Sequence, residues 1–161
     1  MNLQYVLPIW FFHWCEGTWL GSIIQQSKWS FALIETVHIM ALAVLLGSFL
    51  IVDLRLFGLG MQQLTVAEVA GQFAPTSWVS FVVMVATGIP MYLSEAVRLS
   101  SSAPFFYKMM FLCLALLFHL TVHRSATNSG NAGTGLAKIA AGLSLVCWLA
   151  VALAGRAIAY L

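Results

Sequence analysis

The chain has 161 residues, of which 61% are hydrophobic and only 7% charged, with a net charge of +2 and a mean hydropathy of +0.95. That balance excludes a soluble globular domain. The absence of a polybasic run argues against nucleic-acid binding. Three cysteines, Cys15, Cys113 and Cys147, are an odd set with no CxxC or CxxCH among them, so neither covalent c-type haem nor a Cys-rich zinc site is indicated.

Residues 1–28 open the chain with Trp10, Trp14 and Trp19 beside Phe11 and Phe12. The first basic residue is Lys28, which does not fit the positive n-region of a signal peptide. Aromatic residues collect at membrane–water interfaces. The segment therefore reads as an interfacial helix bent at Pro8 or Gly17, with Trp29, Trp78 and Tyr160 in the same belt. Residues 29–161 hold four apolar stretches, each near the roughly 20 residues a spanning helix needs: Ser30–Val52, Pro75–Val97, Pro104–Val122 and Gly135–Tyr160. Thr87-Gly88-Ile89-Pro90 predicts a kink in the second span. Alanine and glycine in the fourth permit close helix packing. The loop SATNSGNAGTG reads as flexible. The expected fold is all-α, an integral membrane four-helix bundle preceded by an N-terminal interfacial helix.

An ionisable side chain within a bilayer marks a functional site by default, and here the first and third spans carry the histidines. The first presents Glu35 and His38, with Asp53 and Arg55 at its far end. At about 100° per residue, Glu35 and Asp53 share one azimuth, so this stripe faces protein. The third span presents Lys108 and His119 on nearly one face, Ala115 between them and His123 at the membrane edge. Glu95 and Arg156 lie towards the terminal side. Neutral imidazole is a good axial ligand for haem iron. His38 and His119 are therefore candidate ligands of a haem b, Lys108 and Arg156 candidate partners of its propionates, and Glu35 and Glu95 candidates for proton transfer. His38 lies roughly 12 Å and His119 roughly 22 Å from the terminal side. The gap of roughly 10 Å is large for two ligands of one iron and requires helix tilt or a single-His site. The bland readings are helix-bridging histidines, snorkelling cations, a structural His13, and an Asp53/Arg55 cluster holding the next loop.

The stretch IETVHIMALAVLLGSFLIVDLRLFG resembles the opening helix of an uncharacterised family of small four-helix bacterial membrane proteins, with the pattern E-x-V-H, then G-S, then D-L-R-L-x-G. Glu95, Lys108, Phe118-His119 and Ala154-Gly155-Arg156 fit later marks of that family, and the likeness covers most of residues 29–160. His38 and His119 map by resemblance onto its intramembrane histidines; His13 and His123 match no family mark. The layout is distantly similar to small membrane haem proteins, including b-type cytochromes and haem-dependent protoporphyrinogen oxidases, and copper-resistance membrane proteins share the general plan.

These features together predict a b-type haem protein of the bacterial inner membrane, passing electrons between a quinone or small reductant and a partner. The alternative is a cofactor-free accessory subunit packed against a larger membrane complex or a homo-oligomer. Arg55 and Arg124 flank span ends directly, which favours cytoplasmic loops there and periplasmic termini.

Overall fold

A computed structural model describes residues 3–5, 7–128 and 132–158. Tyr160 and residues 129–131 of the third loop lie outside the described residues. All regular structure among them is helical. After a single 3₁₀ turn come α1 (Ile9–Glu16), α2 (Trp19–Gln26), α3 (Lys28–Leu56), α4 (Val66–Ser94), α5 (Ala96–Ser100), α6 (Ala103–Phe118), a π turn (His119–His123), α7 (Arg124–Asn128) and α8 (Gly135–Ala157). Four segments are long and apolar enough to cross a membrane: Trp29–Leu56, Val66–Ser94, Ala103–His123 and Gly135–Ala157. The protein is an all-α, multi-pass membrane bundle. Its outward faces are apolar, with Leu33, Val79, Leu117 and Leu153 all exposed, as a lipid-facing surface requires.

Local signals set the helix ends. Each of α2, α3, α6 and α8 begins at a Ser or Thr whose side chain accepts a backbone N–H, satisfying one of the free donors of the first turn. α3 closes in a Schellman motif: Gly58 takes φ +86°, its N–H reaches Arg55 O, and Leu59 N reaches Leu54 O. A left-handed residue is what that cap needs, and glycine adopts it without strain.

The second span differs from the expected one. It starts at Val66, nine residues before Pro75, because Thr65 and Glu68 form a reciprocal capping box. This cap stabilises the first turn, and the helix then runs through Pro75 and Pro90. It ends at Ser94, so Glu95 sits in the hinge to α5 with φ −135° and ψ 26°. At roughly 1.5 Å per residue, α3 and α4 are each about 43 Å long. That exceeds the hydrocarbon thickness of about 30 Å, so both project beyond it.

The N-terminal helices fold back onto the terminal end of the bundle. Phe12 and Cys15 bury against Ala96, the Glu16 carboxylate accepts Val97 N–H at 2.8 Å, and Gln25 donates to Ser94 O. Trp10, Trp14 and Trp19 remain outward and exposed. The central core of Ala41, Leu45, Phe49, Met84, Ala115, Trp148 and Val151 joins all four spans at mid-depth. α3 packs along α4, α6 along α8, and α3 along α8. The side of the bundle between α4 and α6 is the open one, and hollows lie along it above and below the core.

Candidate functional site

Two cavities flank the core. The terminal-side cavity, about 580 Å³, is lined by residues that include Glu35, His38, Glu95, Arg98, Lys108 and Arg156. The loop-side cavity, about 530 Å³, is lined by residues that include Phe49, Trp78, His119, His123, Arg124 and Trp148. Both volumes suit a small-molecule site. They share no lining residue.

The terminal-side cavity gathers most of the expected site. His38 approaches α4 where Gly88 has no side chain: a Cβ there would stand 3.3 Å from His38 Cε1. His38 Nδ1 lies 2.9 Å from Thr87 Oγ1, and that hydroxyl in turn donates to Val83 O at 2.7 Å. A threonine hydroxyl has one proton. With that proton on the Val83 carbonyl, Oγ1 faces His38 as an acceptor, and Nδ1 must carry the ring's hydrogen. The Nε2 lone pair is then bare. Orienting one ring nitrogen by a hydrogen bond so that the other can ligate is how metal-binding histidines are prepared. Lys108 extends across Gly155, its Cε 3.5 Å from where a Cβ would sit. Arg156 and Arg98 line the same space, Arg98 bonded to Glu95 at 2.6 Å. Three cations, two carboxylates and one imidazole thus face one hollow.

His119 belongs to the other cavity. It packs on Phe49, ring centroids 4.4 Å apart, and Phe49 is eleven residues beyond His38 on α3. That spacing is about 16 Å along the helix, whereas two axial ligands of one metal each stand about 2 Å from it. The structure therefore places His38 and His119 in separate cavities and does not bring them together. The separation arises because the central core fills the space between them.

The π turn sets the local arrangement at His119. Its wider i→i+5 bonding brings side chains four apart nearly one above the other, and His119 stacks on His123 at 4.8 Å and 22°. His123 Nε2 donates to Asp53 Oδ1 at 2.7 Å, both side chains almost wholly buried. Asp53 thus turns inward to a histidine 70 residues away, while Arg55 alone takes the expected loop role, its Nε donating to Leu64 O. Asp53 also faces the buried Ser144 hydroxyl, and His119 Nδ1 is buried without a partner. Sequence reasoning missed the Asp53–His123 pair and passed over Thr87 except as part of a kink. The i, i+4 spacing of His119 and His123 was the available signal. His13 lies on the exposed face of α1, away from both cavities.

Among the described residues no group of three or more His, Cys, Asp or Glu side chains converges to hold a bare metal ion. A haem iron takes four of its ligands from the porphyrin and needs only one or two from the chain. The donor set around His38 fits such a group: one prepared imidazole, a hollow of suitable size, and cations for two carboxylates.

No curated protein and no solved structure matches this chain. A family model described as a family of unknown function, DUF6644, matches residues 11–161. Covering nearly the whole chain, that match shows that the protein belongs to this family.

Proposed function

We propose that this protein is a b-type haem protein of the bacterial inner membrane, carrying electrons between a quinone or small reductant and a partner, with one haem in the terminal-side cavity. The observation that carries the reading is the contact of His38 Nδ1 with Thr87, at the wall of a hollow that His38 shares with Lys108, Arg98 and Arg156. His38 holds the iron. Lys108 and Arg156 neutralise the propionates, as charge-assisted pairs do best when shielded from water. Glu35 and Glu95 line the same space and are the candidates for coupled proton transfer. The haem supplies one-electron chemistry when bound; the chain supplies ligation, charge balance and exclusion of water. With Arg55 and Arg124 on the cytoplasmic side, this cavity opens towards the periplasm. Haem content per chain, measured on protein purified from native membranes, tests the reading. One haem b per chain is expected, falling on Lys108→Ala and Arg156→Ala substitution. Protein free of pigment, co-purifying with a large membrane complex, would establish the accessory-subunit alternative instead.

A further inference from the structure

We infer that the loop-side cavity is a binding site for the head group of a lipid-soluble quinone, one of whose carbonyl oxygens accepts a hydrogen bond from the His119 ring. The small residues Ala67, Ala70, Gly71, Ala74 and Ser77 of α4 hollow out one wall. Phe49, Phe81 and Trp148 supply flat apolar surfaces. Ala74 and Trp78 are exposed on the lipid-facing side, so the hollow opens towards the bilayer.

Three polar side chains of the lining are committed elsewhere. Ser77 donates to Phe73 O, Thr127 donates to Arg124 O, and His123 Nε2 is bonded to Asp53. Arg124 is exposed, and His119 is half-buried with its Nδ1 sealed without a partner, which leaves Nε2 as the ring nitrogen on the cavity side. Asp53 and His123 act as positioning residues, since the stack on His123 fixes the plane of the His119 ring. A wide aromatic hollow with one oriented hydrogen-bonding nitrogen suits a flat, neutral ring bearing a carbonyl or hydroxyl. It suits a haem poorly, because Arg124 is the sole Lys or Arg among its lining residues. The choice of a redox-active ring rests on the electron-transfer reading, whereas occupation of the cavity does not.

The test is infrared spectroscopy of a decyl-substituted benzoquinone, carbonyl-labelled with ¹³C, added to the purified protein in lipid nanodiscs. A downshifted carbonyl band should saturate at one quinone per chain. His119→Phe should abolish it, and His38→Ala should leave it intact. Ala74→Trp, which fills the hollow from the α4 wall and leaves His119 in the sequence, should abolish it too and decides the matter if His119→Phe does not fold. Unsaturable partitioning with the same carbonyl band in wild type and Ala74→Trp would overturn the inference. Because the band is read without reference to haem, a pigment-free protein that still shows it would refute the proposed function alone.

Discussion

Replacing Thr87 by valine keeps the shape of the side chain and removes the acceptor that fixes His38. The 2.9 Å contact to Nδ1 disappears, while the Val83 and Met84 carbonyls lose only a side-chain donor to which helical geometry does not oblige them. The ring then keeps only the Met84 carbonyl beside it, and a ring N–H left poorly paired in a half-buried place costs about 1–3 kcal/mol. That cost is relieved if the imidazole moves its proton to Nε2, which blocks ligation. Loss of an outer partner of a metal-bound histidine typically lowers affinity 10–100-fold, equivalent to about 1.4–2.8 kcal/mol, so two independent estimates agree. The assay is titration of haem-depleted protein in detergent with haemin, following the Soret band. Thr87→Val should bind about 10–100-fold more weakly, Thr87→Ser should bind nearly as wild type, and both should melt close to wild type. Equal haemin affinity for Thr87→Val and wild type would refute this role of Thr87.

Gly88→Ala places a Cβ 3.3 Å from His38 Cε1, so the ring must shift by a few tenths of an ångström; a displaced Soret maximum and weaker haemin binding are expected in the same titration. Asp53→Ala leaves the buried His123 ring without its acceptor and should cost about 1–3 kcal/mol, read as a lowered melting temperature in detergent, with the Asp53→Ala/His123→Phe double variant losing less than the sum of its parts. Gly21→Ala would set a Cβ 2.8 Å from Leu93 O and 2.9 Å from Glu16 O, both backbone atoms, so α2 should lift from the end of α4 and expose Cys15 to maleimide within minutes. In the wild type, burial pushes the Cys15 thiol above its ordinary 9.0. Only the thiolate reacts, so Cys15 labelling in the folded protein should keep rising with pH beyond 9, where an ordinary thiol levels off.

The spans were legible because hydropathy over some twenty residues is a strong signal, and a bilayer permits few other structures. The expected second span begins at Pro75 because the apolar run does, whereas α4 begins at Val66. The Thr65–Glu68 capping box was there to be seen and is the stronger local signal. The cluster of Glu35, His38, Lys108, Glu95 and Arg156 was legible from depth alone, since each lies towards the terminal ends of its helix. Lateral placement was not. The sequence could not say that the central core would separate His38 from His119, because that depends on which spans pack together. Asp53 read as a helix-end charge paired with its own loop. Its actual partner is 70 residues away and was reachable only once α3 and the π turn were placed side by side. The π turn carries no motif that a 3.6-residue periodicity would reveal.

The most direct measurement is the absorption spectrum of protein purified from native membranes, oxidised and dithionite-reduced, with His38→Ala and His119→Ala alongside. A Soret band with reduced α and β bands, lost in His38→Ala and kept in His119→Ala, is the result predicted here. A featureless wild-type spectrum, or a band that survives His38→Ala, would contradict it.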